Sequence, residues 1–222
     1  MEIKVLKDIL SANEQIAASN HQKLEEHGVF SVNLMASPGA GKTSLVLQTI
    51  RAVAGKTRVG VIEGDVSSSL DSELIAREDV PVIQINTGGE CHLDASMVRN
   101  ALENLPLADI DLLLVENVGN LICPAEFNIG EHLKVVISSV PEGDDKPFKY
   151  PTMFIIADAV VINKTDLLPH LQFDTARFTG AVQGINQKAP VFTLSCTTGD
   201  GLDSWTSWLL GRMETERAGG AA

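Results

Sequence analysis

The chain has 222 residues, of which 44% are hydrophobic, and its 17 basic and 29 acidic side chains give a net charge of −12 at pH 7. This length suits one α/β domain with a sizeable core, and the acidic surface disfavours nucleic acid and anionic membranes, which bind clustered lysine and arginine. Three cysteines cannot all pair in disulfides, and neither a signal peptide nor a membrane-spanning run is evident, so we expect a cytoplasmic protein that binds no nucleic acid and no membrane.

The first predicted element is a helical segment over residues 1–28, in which apolar side chains recur on one side. Seven apolar, β-branched runs follow and alternate with stretches of helical spacing. The predicted strands span residues 29–35, 58–62, 80–85, 110–115, 134–138, 159–162 and 191–194. The predicted helices span residues 44–54, 68–78, 94–104, 170–180 and 202–211. Strands that are apolar nearly throughout are buried on both faces, so the pattern predicts an α/β fold with a mainly parallel, doubly wound sheet of about seven strands, as in P-loop NTPases.

We place the predicted domain at residues 29–211. The segment 1–28 is then a helix packed on the domain or on a partner chain, and residues 212–222, which end AGGAA, form a flexible tail. Between the fifth and sixth predicted strands, residues 140–151 form a charged loop bounded by prolines. Such a loop is either a solvated connection or a nucleotide-dependent switch.

The run ASPGAGKTS at residues 36–44 joins the first predicted strand to the helix after it. Its glycines let the backbone curl until N–H groups point at one phosphate, and the helix adds the positive end of its dipole. Lys42 then bridges the β- and γ-phosphates, and the Thr43 hydroxyl ligates Mg²⁺. The run departs from the usual pattern at Ala36, where glycine is common. The residues assigned to phosphate binding are Gly39, Ala40, Gly41, Lys42, Thr43 and Ser44.

Two acidic residues close strand patterns downstream of this loop. Asp65 ends VIEGD, and Glu116 ends LLLVE. The carboxyl ends of parallel strands lie beside the nucleotide in this architecture, so either carboxylate can hold Mg²⁺ through water or orient the attacking water. We therefore assign catalytic roles to Asp65 and Glu116 together with Lys42 and Thr43; a helix cap or a loop carboxylate is the structural alternative.

Cysteine and histidine occur in two segments that follow predicted strands. Cys91 and His92 are adjacent in NTGGECHLDAS, and Cys123 lies in ENVGNLICPAE. Thiolate and imidazole suit Zn²⁺ or Ni²⁺, but three ligands leave one tetrahedral position open, which a symmetric dimer can fill by pooling two sets. The alternative is that these are buried free cysteines without a ligand role. The other histidines resemble surface or helix-cap residues; they are His21, His27, His132 and His170.

The tetrapeptide NKTD at residues 163–166 follows the sixth predicted strand. Guanine presents two adjacent N–H donors, which the carboxylate of Asp166 can accept together, whereas adenine lacks this pair. Asn163 can bond the opposite edge of the base, and the stem of Lys164 can pack along the ring. After the next strand, Ser195 and Cys196 lie where a backbone amide would contact the guanine O6 atom.

With these motifs placed, the chain resembles the hydrogenase nickel-incorporation GTPase family over residues 29–210. The resemblance rests on SPGAGKTSL, EGD, TGGECHLDA, ENVGNLICPAEFNIGE, NKTD and SCTTGDG. The combination of TGGECHLDA with ENVGNLICP is its specific part, since phosphate loops and NKxD occur in many GTPases.

The resemblance implies a maturation factor that hydrolyses GTP with Mg²⁺ and helps deliver nickel to the hydrogenase large-subunit precursor. It implies a HypA-like nickel accessory protein as partner, and a homodimer in the GTP-bound state. It also implies Ni²⁺ or Zn²⁺ held across the dimer interface by Cys91, His92 and Cys123. Residues 1–35 contain no cysteine and only two histidines, so we expect no second, tight nickel store there.

Hydrolysis is then expected to loosen the dimer and change metal affinity, as loss of the γ-phosphate does in other nucleotide switches. Lys146 or Lys149 of the charged loop can reach an acidic group such as Asp71 on the facing subunit. No built-in arginine finger is evident, so slow intrinsic turnover is expected.

Three alternatives stay open. An accessory GTPase for another nickel enzyme, such as urease, resembles this chain in fold but carries Cys-Pro-His, whereas here Cys123 is followed by Pro124 and Ala125. A nucleotide-dependent scaffold with core cysteines would bind no metal. A nucleoside kinase is disfavoured by NKTD and by the lack of an arginine-rich lid.

Overall fold

A computed structural model describes residues 2–65 and 70–219, with side chains described from Leu10 onward. Its strands are β1 Phe30–Ala36, β2 Val59–Asp65, β3 Val82–Asn86, β4 Leu112–Glu116, β5 Leu133–Ser139, β6 Ala159–Asn163 and β7 Val191–Thr193. Within the described residues these strands form one sheet in the order β3-β2-β4-β1-β5-β6-β7, and every neighbouring pair is parallel. The helices are α1 Glu2–Glu26, α2 Lys42–Val53, α3 Leu70–Ala76, α4 Ala95–Leu102, α5 Lys146–Lys149, α6 Pro151–Ile155, α7 Thr175–Ile185 and α8 Leu202–Gly219. The α/β class, the parallel sheet and all seven predicted strands are confirmed.

Helices cover both faces of the sheet, as a doubly wound fold requires. On one face α2, α3 and α8 pack over the sheet, and the fully buried Trp205 of α8 donates its indole N–H to Thr49 of α2 at 3.0 Å. On the other face α1 and α4 cover β2 and β4, while α6 and α7 cover β5 and β6. Among the described residues, no helix combines the length and the apolar character that crossing a bilayer demands.

Two predicted helices differ from the structure by more than two residues: α7 starts later than predicted and ends at Ile185 rather than at residue 180, and α8 ends later than predicted. The helix predicted at residues 170–180 begins instead at Thr175, because the Asp174 side chain accepts the N–H of Arg177 and caps α7 there. The final helix does not stop at Gly211, where we expected residues 212–222 to form a flexible tail, but continues to Gly219. Its last turns are anchored because Met213 is buried in the core and Arg217 contacts Asp111 at 3.2 Å. Residues 220–222 lie outside the described part of the chain, as do residues 68 and 69 of the helix predicted at 68–78.

Residues 140–151 do not form the open loop that we expected. They contain a 3₁₀ turn, Val140–Glu142, then α5, and the first residue of α6. Pro147 and Pro151 stand in the first turns of α5 and α6, where proline is tolerated because the N–H it lacks has no partner within the helix. The side chain of Lys149 pairs with Asp145 within this segment.

Because all strands are parallel, their carboxyl ends lie along one edge of the sheet. The phosphate loop leaves β1 at this edge, β2 and β4 end there at Asp65 and Glu116, and NKTD begins at the last residue of β6. The segments with Cys91 and Cys123 follow β3 and β4. The fold therefore gathers every predicted site segment at one edge, as is usual for ligand sites in open α/β sheets.

Candidate functional site

The phosphate loop has the backbone that its glycines permit. Gly39 and Gly41 have φ values of 76° and 98°, in the left-handed region that favours glycine. A Cβ atom on Gly41 would collide with the side-chain amide of Asn163. Glycine is therefore required at position 41 by its backbone angle and also by the close approach of the NKTD segment.

Lys42 and Thr43, which open α2, contact the same carboxylate. The Thr43 hydroxyl donates to Glu116 Oε1 at 2.9 Å, and Lys42 Nζ lies 3.9 Å from that oxygen. Lys42 is 9% exposed and Glu116 3%, so these charges interact largely out of water. The structure thus brings together three of the four predicted catalytic residues. Asp65, the fourth, lies half-buried at the end of β2, next to residues 66–69, which are outside the described part of the chain.

Glu63 belongs to this group of charges, although sequence reasoning gave it no role. It is 2% exposed, and its Cα pairs with that of Glu116 in the parallel register of β2 and β4. Within the described residues, Oε2 of each of these glutamates lacks a hydrogen-bond partner. The signal in the sequence was an acid inside an otherwise apolar strand, a position where carboxylates are rare unless paired or functional.

Burial raises the pKa of both carboxyl groups. For Glu63 the pKa rises to about 8, first through burial and then through repulsion by Glu116 and Asp65. For Glu116 burial raises the pKa to about 7, against the opposing effects of Lys42 and the Thr43 hydrogen bond. The pair therefore does not carry two full negative charges near neutral pH.

This pair predicts that stability depends on pH. The pKa of Glu63 is higher in the folded protein than in the unfolded chain, so the folded protein binds this proton more tightly. The protonated Glu63 therefore contributes stability that is fully present below about pH 4.5. This contribution is lost as the pH rises through about 8. Between pH 5 and 8.5, the free energy of unfolding of the nucleotide-free protein should fall by about 1 to 3 kcal/mol more than that of Glu63→Gln. Urea denaturation at both pH values measures this difference. The exposed Glu90→Gln is the matched control, and parallel profiles for wild type and Glu63→Gln would refute the assignment.

The segments predicted to bind guanine are joined to each other by hydrogen bonds. The Ser195 hydroxyl donates to Asp166 Oδ1 at 2.5 Å, and accepts the N–H groups of Thr197 and Thr198 at 3.2 Å each. The N–H of Cys196 donates to Asn163 Oδ1 at 3.2 Å. Asp166 is thus held in one orientation by the turn that follows β7.

The same segment is also bonded to the phosphate loop. Asn163 Nδ2 donates to the Ala40 carbonyl at 3.1 Å, and Lys164 Nζ donates to the Gly39 carbonyl at 2.6 Å. We expected Asn163 to act on the base edge; in the structure its amide also joins the phosphate loop to the turn after β7. Sequence reasoning missed this connection because it depends on how β1 and β6 are arranged in the sheet.

Cys91, His92 and Cys123 converge in the structure. The Sγ atoms of the two cysteines are 3.1 Å apart, and Cys91 Sγ lies 3.7 Å from His92 Nδ1. One ligand atom from each of the three residues lies within 4.8 Å of the others. Soft thiolates beside an imidazole fit Zn²⁺ or Ni²⁺ better than a hard cation such as Mg²⁺. The adjacent Cys123 thiol, with a smaller effect of burial, raises the pKa of Cys91.

The surroundings of these ligands distinguish them from the third cysteine. Cys91 is exposed, whereas His92 and Cys123 are half-buried, so a cation can reach all three. The His92 ring packs on Phe127 with ring centroids 4.0 Å apart, and Asn120 donates to the Cys91 carbonyl at 3.2 Å. Cys196 is buried beside the guanine segment, and burial raises its pKa to about 11. Cys196 is therefore a structural residue of the guanine segment, whereas the ligand role is proposed for Cys91 and Cys123.

Asn117 connects the metal segment to the nucleotide carboxylate. It is fully buried directly after Glu116, and its Oδ1 accepts the N–H of Leu93 at 3.0 Å. Its Nδ2 donates to Asn33 of β1 at 3.1 Å. Asn117 therefore joins the end of β4 at Glu116 to Leu93, the neighbour of His92, through one buried side chain.

A second cluster lies near the opposite edge of the sheet, where His21 and Glu25 of α1 face His132. His132 is not the surface residue that we expected: it is half-buried, and burial lowers its pKa to about 4, so its ring is neutral. Its Nδ1 accepts the backbone N–H of Ser31 at 3.1 Å, which places the ring proton on Nε2. A protonated Nε2 cannot bind a cation, so we assign this histidine to capping β1 and assign no ion to the cluster.

Comparisons with known proteins agree with this geometry. The family model described as CobW/HypB/UreG, nucleotide-binding domain, matches residues 31–193. A hydrogenase maturation factor HypB from Rhizobium leguminosarum bv. viciae is 47% identical over 207 residues, which are 93% of this chain and 69% of the relative. The matched family residues include the phosphate loop, the three metal candidates and the NKTD segment, and they end just before Ser195.

Two solved structures are similar over nearly the whole fold. The crystal structure of HypB from Helicobacter pylori in complex with nickel has a TM-score of 0.89 at 35% identity, and the match covers 92% of this chain and 96% of that one. The crystal structure of HypB from Archaeoglobus fulgidus has a TM-score of 0.86 at 39% identity, with 91% and 99% of the two chains covered.

Proposed function

Because the chain belongs to the CobW/HypB/UreG nucleotide-binding family, and within it to the hydrogenase maturation factors HypB, we propose that it is a GTP-hydrolysing metallochaperone that assists nickel insertion into [NiFe] hydrogenase. The observation that carries the proposal is the convergence of Cys91, His92 and Cys123 at the sheet edge that also holds the phosphate loop and NKTD. A nickel-bound relative of the same fold supports nickel as the cargo.

The nucleotide half of the proposal assigns a role to each residue. The backbone of residues 39–44 and the Lys42 ammonium bind the phosphates, and Asp166, oriented by Ser195, accepts the two guanine donors. Asn163 and Lys164 hold the phosphate loop against the base-binding turn. The Thr43 hydroxyl and the carboxylates of Glu116 and Asp65 offer the oxygen donors that Mg²⁺ prefers, and Glu116 Oε2 has no hydrogen-bond partner among the described residues. Mg²⁺ bound there would neutralise phosphate charge; the acid that orients the attacking water is Asp65 or Glu116.

The metal half of the proposal requires a second copy of the chain. Cys91, His92 and Cys123 supply three ligands, one fewer than a closed tetrahedral site needs. Ile122, directly before Cys123, is 60% exposed, as expected of a residue that is covered when two copies meet. We propose a homodimer in the GTP-bound state with Ni²⁺ or Zn²⁺ between the subunits. Lys146 is the better candidate for the contact with Asp71 of the facing subunit, because Lys149 already pairs with Asp145.

Family membership also supports the proposed partners, a HypA-like nickel accessory protein and the hydrogenase large-subunit precursor. GTP then acts as the control signal and nickel as the cargo. The hydrogen bonds of Asn117 provide a direct physical connection between Glu116 and the His92 segment.

The test is to titrate Ni²⁺ or Zn²⁺ into protein loaded with a non-hydrolysable GTP analogue or with GDP, and to follow assembly by native mass spectrometry. We expect the analogue to increase the dimer population and to change metal affinity by about 5- to 100-fold relative to GDP, the usual range for coupled sites. Asn117→Ala should reduce this difference while both ligands still bind. Equal metal affinity and equal dimer population in the two nucleotide states would refute the proposed control by GTP.

A further inference from the structure

Helix α1 precedes the residues that the family model covers, and two of its asparagines are buried. Asn13 is 7% exposed and Asn20 is 1% exposed. A buried side-chain amide is retained in a core where it satisfies backbone groups that would otherwise lack partners. The hydrogen bonds of these two amides therefore indicate what α1 does.

Each asparagine bonds the same two segments. Asn13 accepts the N–H of Ala95 at 2.9 Å and donates to the Asn128 carbonyl at 2.8 Å. Asn20 donates to the Ala95 carbonyl at 2.8 Å and to the Ile129 carbonyl at 3.0 Å. Two side chains of one helix thus join residue 95 to residues 128–129, which are far apart in the sequence.

These are the segments that carry the metal candidates. Ala95 begins α4 directly after the stretch with Cys91 and His92, and Asn128 follows Phe127 in the segment that contains Cys123. Phe127 packs against the His92 ring. The two segments are therefore joined by α1 on one side of the ligands, by the Phe127–His92 contact beside them, and directly by the hydrogen bonds of Asn120 and Asn117 to Cys91 and Leu93.

Close packing of the backbone supports the same role. Gly130 has a φ of 96°, and a Cβ atom there would lie 2.6 Å from the Ala17 carbonyl oxygen and 2.7 Å from Asn20 Cβ. Only glycine allows the second segment to approach α1 this closely. The helix thus fixes this segment through backbone contact and through its two amides.

We propose that α1 is a positioning element of the metal centre, in which Asn13 and Asn20 hold the Cys91–His92 segment and the Cys123 segment at the separation that an ion requires. The proposal rests on the proposed function, because it takes Cys91, His92 and Cys123 as the ligands. Ligands that are held in place before the ion arrives lose less freedom on binding, so affinity depends on residues that never touch the ion.

The experiment compares Asn13→Ala and Asn20→Ala with Asn186→Ala in the full chain. Asn186 is a matched control, because its amide also joins two segments through the carbonyls of Phe154, Ile155 and Ala157, and none of these hydrogen bonds involves residues 91–95 or 117–130. We expect both α1 variants to bind Zn²⁺ and Co²⁺ about tenfold more weakly, as for other residues that orient metal ligands, with GTP-analogue affinity within about twofold of wild type. Asn186→Ala should lose stability and keep its metal affinity. Asn13→Ser, which retains a hydroxyl, is the milder variant if an alanine variant does not fold.

A second readout needs no metal. Diamide accepts two hydrogens and oxidises two adjacent thiols to a disulfide, so the rate at which it links Cys91 to Cys123 reports how often their sulfur atoms meet. We expect slower linkage in Asn13→Ala and Asn20→Ala than in wild type and Asn186→Ala. Peptide mass mapping identifies the linked pair.

The outcomes separate the two proposals. If Cys123→Ala weakens Zn²⁺ binding while both α1 variants match wild type in metal affinity and in linkage rate, this inference is wrong and the proposed function stands. If Cys123→Ala binds Zn²⁺ as wild type does, the proposed ligand set is wrong and this inference falls with it. If Asn186→Ala lost as much metal affinity as the α1 variants, general destabilisation would explain the loss, and this inference would be wrong.

Discussion

Replacing Cys123 with alanine is expected to weaken Zn²⁺ or Ni²⁺ binding at least about a hundredfold, more than the usual cost of losing a residue that only orients a ligand. The chain supplies three ligand atoms within 4.8 Å of one another, so the variant leaves only the adjacent pair Cys91 and His92. Two ligands from neighbouring residues cannot enclose a tetrahedral ion within one copy of the chain, and two copies that pool their ligands have lost both sulfur atoms of position 123. Competition titration against a chromophoric chelator measures the loss.

The nucleotide site provides the internal comparison for this variant. Cys123 lies in the loop after β4, and within the described part of the chain its thiol contacts Cys91 rather than the phosphate loop or NKTD, so GTP-analogue affinity should stay within about twofold of wild type. Cys196→Ala is the matched cysteine control, because that side chain is buried beside the guanine segment, and its metal affinity should not change. Unchanged metal stoichiometry in both Cys91→Ala and Cys123→Ala would end the metallochaperone proposal.

Asp166→Asn is expected to lower GTP affinity at least about a hundredfold, because the site loses two charge-assisted hydrogen bonds to the adjacent N–H donors of guanine. An asparagine at this position offers one acceptor and one donor. Xanthine presents the complementary pair, an N–H beside a carbonyl, so the variant should come to prefer xanthosine triphosphate over GTP. Competition binding of GTP, ATP and xanthosine triphosphate to both proteins measures the change in preference.

The control for Asp166→Asn is an acidic residue in the turn after β7. Asp200 accepts the Thr198 hydroxyl at 2.7 Å and is exposed, so Asp200→Asn should leave the preference for guanine intact. Ser195→Ala should weaken GTP binding by a smaller factor, since it frees Asp166 to rotate without removing its charge. If Asp166→Asn bound GTP as wild type does, the base would have to be recognised elsewhere in the chain.

The order of the strands and of the longer helices was predictable because buried parallel strands carry near-continuous apolar runs and are separated by amphipathic helices, whereas the short helices α5 and α6 were not predicted. Boundaries were less predictable where a contact distant in sequence decides them. Gly211 is a common helix stop, yet α8 continues past it because Met213 is buried and Arg217 reaches Asp111. Likewise, Asp174 rather than His170 marks the beginning of α7, because its side chain caps the helix.

The functional residues divide in the same way. The phosphate loop and NKTD are local patterns whose chemistry follows from residue type and spacing, so they were enough to propose a GTPase. Spacing alone left Cys91 and Cys123 as metal ligands or as buried free cysteines, and the family resemblance favoured the soft metal site. Three other contacts could be seen only in the folded structure. Glu63 and Glu116 lie side by side on neighbouring strands, and Asn163 holds the phosphate loop. Asn13 and Asn20 join the two metal segments. Each of these contacts joins residues that are distant in sequence, and the strand order of the sheet, which no local pattern encodes, brings them within bonding distance.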